Sequence, residues 1–354
     1  MAEPVRIPFR SRTERSFPPP IAGRVEFVPY ESRALKDNPL GDPFVRDIAV
    51  YRPPSGRTEG KPLLLLLTGF TGAGWMHFPY RNRYLSETFP QVIERLQRTG
   101  ACPEAVVVAP DGMTMLGGSQ YLNSTATGAY EDYIVKEIVP WAKERYRTGA
   151  VGVLGHSSGG YGALVLPLRH PRIFSALLAS APDSQFEYCY QPDFPKAVRV
   201  LKERGGPTRF LEWLFTTPPA IGSTSPVGAT LNTLAMASCY SPTIGMPGAF
   251  DLPFAPETGA IDETVWRRWL AWDPVRMVRE EGMAGVVRGM RSIQVGGGLS
   301  DEWFLDVGAH RFAEEVRALG GTVREEYPPG THGDVWSILL ERFLPDMVRA
   351  LGGV

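Results

Sequence analysis

The pentapeptide Gly155-His156-Ser157-Ser158-Gly159 sets a serine among small residues, directly after the apolar run VGVL (151–154) and directly before the helix-like GGYGALVLPLRH. In a strand–turn–helix setting, G-x-S-x-G forces the serine into a sharp, strained turn that only small neighbours leave room for. The strain lifts the Ser157 hydroxyl out of the sheet edge. It also puts the Ser158 backbone N–H at a helix N-terminus, where developing negative charge is stabilised. The chemistry this points to is nucleophilic attack on an acyl carbonyl. A serine hydroxyl is a weak nucleophile, so a base is needed, and a third group to orient that base.

There are five histidines. His156 lies inside the turn and points away from the position of a base, so it is expected on the substrate side. His170 ends the following helix beside Pro171 and reads as a C-terminal cap. His310 falls in the amphipathic run VGAHRFAEEV and reads as a solvated helix face. His77 follows the run LLLLL and is expected to touch substrate. His332, in YPPGTHGDVW, stands in a loop between Gly330 and Gly333, after the last strand signal. In the order nucleophile, acid, histidine that accompanies this turn, His332 is the expected general base. The acid belongs at a strand end between Ser157 and His332. Asp301, just past SIQV, is the leading candidate; Asp183, after FSALLAS, and Glu302 remain open. A second oxyanion donor is expected from the loop TGFTGAGW, where Gly69 permits a tight turn and the Phe70 N–H is free to donate. The glycines of that loop do not fit G-x-G-x-x-G, and no Gly-Lys-Ser/Thr follows, so nucleotide binding is not expected. Gly69, His77, Tyr121, Asn123 and His156 are the expected substrate contacts, with Ser124 beside them. The polar residues of GGSQYLNSTATG lie near the carboxyl edge of the sheet, where open α/β sheets bind ligands.

The elements that must position these groups are short apolar runs alternating with helical patterns. LLLLL (63–67), AVVVA (105–109), VGVL (151–154), FSALLA (174–179), residues 293–295 and 322–327 read as strands, and DIAVY (47–51) as an edge strand. Ile134, Ile138 and Trp141 share one helix face, and Phe312, Val316 and Leu319 share another. This alternation implies a mostly parallel sheet with helices on both faces. It breaks over residues 184–290, which are rich in Pro, Gly and Trp and read as a loop-rich insertion with two or three short helices, a lid or pocket wall. The expected organisation is an N-terminal arm over 1–20, an α/β core over 21–183 and 291–354, and the insertion between.

The chain has 354 residues, 43% hydrophobic and 21% charged, enough for a sizeable core and against global disorder. A formal net charge of −1 and the lack of a basic stripe argue against nucleic acid or an anionic membrane as partner. Cys102, Cys189 and Cys239 are odd in number, and none has CxxC or ligand spacing, so neither a disulfide framework nor a structural zinc is expected. The N-terminus carries arginines without an apolar h-region, and no run is long enough to span a bilayer. A soluble, cytoplasmic protein is the expectation.

The segments LLLLLTGFTGAGW, YLNSTATGAYEDYIVKEIVPWAKERY, GVLGHSSGGYGALVLPLRHPRIFSALLASAP, GGLSDEWFLDVGAHRFAEEVRALGG and PPGTHGDVW together resemble the esterase branch of the α/β-hydrolases. That branch takes in esterase D (S-formylglutathione hydrolase), feruloyl and enterochelin esterases, and the mycolyltransferases. The resemblance covers most of the chain outside the arm and the insertion. It departs at Thr68, where the family often has histidine. The resemblance implies an α/β-hydrolase fold and a triad of Ser157, Asp301 and His332. It implies oxyanion donors at Phe70 and Ser158, and ester or thioester hydrolysis without metal or organic cofactor. The expected partner is a small-molecule ester and, beyond it, at most a second copy of the chain in a homodimer. The insertion departs from short-lidded relatives, so the substrate does not carry over. Its aromatics, Phe186, Tyr188, Tyr190, Trp213 and Phe215, read as core packing or as walls of an acyl or aryl pocket. Acyl transfer through the same acyl-enzyme, and a non-catalytic binding protein on the same scaffold, are the alternatives.

Overall fold

A computed structural model describes residues 20–79, 87–216, 222 and 224–352. The expected N-terminal arm, up to residue 19, lies outside the described residues. Among the described residues ten strands form, in chain order, β1 (Arg24–Glu31), β2 (Val45–Arg52), β3 (Leu63–Leu67), β4 (Val106–Ala109), β5 (Asn123–Ser124), β6 (Gly128–Ala129), β7 (Val151–His156), β8 (Phe174–Ser180), β9 (Ser292–Gly296) and β10 (Arg324–Glu326). Eight of them make one sheet in the order β1-β2-β4-β3-β7-β8-β9-β10, while β5 and β6 pair as a separate antiparallel ribbon. β1 and β2 pair antiparallel, β2 meets β4 antiparallel, and every pairing from β4 to β10 is parallel. All five leucines of β3 are buried, because a central parallel strand covered by helices has no solvent face.

Two expectations need correction. DIAVY is not at the edge: β1 pairs along all of β2 and takes the outer position itself. β1 escapes sequence reading because its faces are largely solvated and Pro29 interrupts the pattern; at a sheet edge that proline costs no ladder bond. The region between β8 and β9 is also more helical than its composition suggests. It holds the helices Phe194–Arg204, Pro207–Thr216, Pro226–Tyr240 and Glu263–Leu270 as well as shorter turns. Pro195, Pro207, Pro226 and Pro274 mark helix starts rather than loops, since the first turn of a helix has no need of the missing N–H. Pro226 follows Ser225, whose hydroxyl accepts from the Gly228 N–H, and Pro274 follows Asp273, which caps the Val275 N–H.

This helical layer does not stand apart from the sheet. Trp269 is fully buried, with Phe194, Tyr190 and Tyr240 rings 5.8, 5.8 and 5.4 Å away. Tyr161, on the helix Ser158–Arg169 behind the turn, packs edge-on against Tyr240 at 5.7 Å and donates its hydroxyl to the Trp272 carbonyl at 3.1 Å. One hydrophobic core therefore runs from the sheet into the insertion. Cys102, Cys189 and Cys239 are buried and unpaired, and burial pushes the Cys102 and Cys239 thiols up to about 12. Among the described residues no helix is long and apolar enough to cross a membrane.

Candidate active site

Ser157 sits between β7 and the helix Ser158–Arg169 with φ 60° and ψ −129°, a left-handed backbone that costs a non-glycine residue energy. Packing imposes it. A Cβ on Gly155 would run into the Gly159 backbone, and one on Gly159 into the Leu67 carbonyl, so the strand, the turn and β3 meet backbone to backbone. The Ser157 N–H donates to the Ser180 carbonyl at 3.0 Å, tying the turn to the end of β8. Ser158 opens the helix, so its N–H has no carbonyl one turn back.

His332 is the first residue of the helix His332–Ala350, not a loop residue as its flanking glycines suggest. At its start Asp334 Oδ2 accepts from the Thr331 N–H at 3.0 Å and from the Thr331 hydroxyl at 2.7 Å, which fixes the first turn. Asp301 follows β9 by five positions, and its carboxylate is enclosed. Oδ1 accepts from the Trp303 N–H at 2.9 Å, and Oδ2 accepts from His332 Nδ1 at 2.8 Å. The two loops approach so closely that a Cβ on Gly298 would overlap the Gly330 carbonyl. Glu302 instead accepts from the His332 backbone N–H at 3.0 Å. Asp183 makes no bond to His332. The imidazole is enclosed by the ring of Trp303 at 4.9 Å and by that of His156 at 4.3 Å.

Ser157 and His332 line one cavity of about 430 Å³, together with Gly69, Phe70, Ser158 and Trp303. In this conformation no hydrogen bond joins Ser157 Oγ to the imidazole. The loop after β3 lies against Ser157, whose Cβ is only 3.2 Å from where a Gly69 Cβ would stand. The Phe70 N–H donates to none of the described groups, while its neighbours at Thr71 and Gly72 are bonded to Gly117 and Gly69.

Among the expected substrate contacts, Gly69 and His156 line the cavity, and His77, Tyr121 and Asn123 do not. Tyr121 is buried beneath the loop: its hydroxyl accepts from the Thr68 N–H and donates to the Thr68 carbonyl, both at 2.8 Å. Asn123 is held by Asp132, with bonds of 3.0 Å in each direction. Ser124 donates to the Ser238 carbonyl, fastening the ribbon to the insertion. His77 packs 6.2 Å from the Trp336 ring, and burial lowers it to about 4. His156 is likewise held well below the usual imidazole range, by burial first and by the neighbouring His332 second, and its Nδ1 contacts Ser180 Oγ at 3.0 Å. His170 meets Glu131 at 2.6 Å and His310 meets Glu325 at 3.1 Å, both away from the cavity. Of the insertion aromatics only Tyr190 reaches the cavity; Phe186 is core, Tyr188 and Phe215 are exposed, and Trp213 lies under the Arg204 guanidinium at 3.9 Å. The remaining wall, including Asp193, Leu231 and Asn232, had no signal in the sequence, because helices of the insertion bring it there. Among the described residues no group of three or more His, Cys, Asp or Glu side chains is placed to hold a metal.

A family model described as "Putative esterase" matches residues 45–284, about two thirds of the chain. The chain belongs to that family. Membership makes this esterase a serine hydrolase acting on ester bonds. Solved structures of similar fold include a ferulic acid esterase, with TM-score 0.59 and 19% identity over 93% of this chain and 99% of that one. An S-formylglutathione hydrolase from Agrobacterium tumefaciens superposes with TM-score 0.55 and 17% identity, over 94% and 96% of the two chains. MPT51 of Mycobacterium tuberculosis does so with TM-score 0.50 and 16% identity, over 93% and 99%. At these identities the likeness is one of fold, the α/β-hydrolase fold.

Proposed function

We propose that this esterase is a carboxylesterase that cleaves small or medium esters or thioesters through an acyl-enzyme on Ser157. Ser157 Oγ attacks the carbonyl carbon while His332 Nε2 takes its proton. The C–O or C–S bond breaks as the imidazolium returns that proton to the leaving group. Water, activated by the same imidazole, then releases the acid and restores Ser157. Asp301 holds the Nδ1–H tautomer of His332, leaving Nε2 as acceptor, and stabilises the imidazolium. The backbone N–H groups of Phe70 and Ser158 receive the carbonyl oxygen as it gains charge.

The observation that carries this reading is the Asp301–His332 bond at the rim of the cavity that the strained Ser157 also lines. Ser157→Ala should lower turnover of nitrophenyl acetate by about six orders of magnitude if the three residues act as a unit. A variant hydrolysing at the wild-type rate would overturn the assignment.

A further inference from the structure

Asp183 is 6% exposed and lines the cavity beside the nucleophile. Three donors converge on one of its oxygens, Oδ2: Ser158 Oγ at 2.8 Å, the Tyr190 hydroxyl at 2.8 Å and Gln120 Nε2 at 3.0 Å. Oδ1 receives no hydrogen bond from any described residue, yet it is not among the buried polar atoms lacking a partner. The open side of the carboxylate therefore faces the cavity. Among the described residues no lysine or arginine lines that cavity. The second carboxylate on the wall, Asp193, is already matched by Lys196 at 2.8 Å, whereas Asp183 has no ion-pair partner among the described residues. On the wall of the same cavity the Asn232 amide makes no hydrogen bond to any described residue.

A carboxylate in this position works against the esterase unless something compensates it. Burial penalises its charge and pushes its pKa up. Its field also opposes the negative charge that grows on the carbonyl oxygen a residue away, in a medium where such fields are poorly screened. Three donors on one oxygen suit an ionised group, but they do not neutralise it. A hydroxyl on the substrate would satisfy Oδ1 without removing the charge. An ammonium would do both.

We propose that Asp183 is a specificity-determining residue whose Oδ1 receives a protonated amine, so that the substrates are amino-bearing esters rather than neutral or anionic ones. The inference rests on the assignment of Ser157 as nucleophile. Within it, Asn232 supplies a neutral acceptor to the same group, and the uncompensated carboxylate repels acids.

Matched esters test this at neutral pH with the whole protein. On the acyl side, the nitrophenyl ester of aminohexanoate is compared with those of heptanoate and of adipate. On the alcohol side, dimethylaminoethyl acetate is compared with isopentyl acetate. In at least one set, kcat/KM for the cationic ester should exceed that of the neutral one by roughly 10- to 100-fold, the range of a hydrogen bond to a charged group, and the anionic ester should fall below the neutral one. Asp183→Asn should bring the cationic-to-neutral ratio close to unity. Taking the ratio within one variant cancels any general loss transmitted through Ser158. Should that variant not fold, Asn232→Asp adds a carboxylate to the same wall and should raise the ratio. Equal kcat/KM for cationic and neutral esters in both wild-type sets, or a ratio unmoved by Asp183→Asn, overturns the inference and leaves the Ser157 assignment standing. Loss of Ser157-dependent hydrolysis of every ester removes both.

Discussion

In the proposed mechanism the bond between His332 Nδ1 and Asp301 Oδ2 acts by choosing a tautomer. Asp301→Asn keeps the shape but offers an amide N–H, so His332 turns its lone pair toward residue 301 and loses basicity at Nε2. We expect kcat for nitrophenyl acetate to fall on the order of 10⁴-fold with the folded circular dichroism spectrum retained. His77 makes a different prediction. Its ordinary pKa is 6.5, and burial lowers it to about 4. Between those values the unfolded chain takes up a proton that the folded chain refuses. The stability it contributes is complete above about pH 6.5, declines as pH falls, and is lost once pH passes below about 4. Urea midpoints of His77→Gln should therefore fall less steeply than wild type between these limits. His156, shifted in the same direction, keeps some slope in the variant.

At the scale of elements, the loop after β3 and the segment leading into β5 act as a pair. Tyr121 carries a left-handed φ of 55° and spends its hydroxyl on both backbone groups of Thr68. It thereby fixes the loop whose next residues include Gly69 and Phe70. The Thr68 hydroxyl also lies 3.1 Å from the Tyr121 oxygen, so a tyrosine strut sets the loop here. Tyr121→Phe leaves the buried Thr68 N–H and carbonyl without that partner. A loss of about 1–3 kcal/mol in chemical denaturation is expected. A fall in kcat greater than the rise in KM should accompany it, since the oxyanion donor proposed at Phe70 acts most in the transition state.

For the whole molecule, the insertion and the sheet share one core and one cavity. Tyr161 on the helix behind Ser157 touches Tyr240, which touches Trp269. Trp269→Ala should therefore destabilise by about 3–5 kcal/mol. The denaturant midpoints for esterase activity and for circular dichroism should move together. An insertion that melted ahead of the sheet, with helical signal lost while nitrophenyl acetate turnover persisted, would contradict a shared core.

The sequence by itself determined the features whose causes are neighbours along the chain. The small residues around Ser157 permit the turn, and LLLLL, short and wholly apolar, reads as a strand covered on both faces. Asp301 and His332 each sit at the end of a recognisable run. Tertiary structure decided which carboxylate meets the imidazole. Asp301 and Asp183 both follow strands, and only the order β7-β8-β9, with the close approach at Gly298, brings residue 301 to His332 and leaves Asp183 facing the cavity. It also decided that Tyr121 is a strut and not a substrate contact, and that helices of the insertion complete the cavity wall. Such outcomes depend on contacts across tens of residues, which local patterns of hydrophobicity and turn chemistry do not encode.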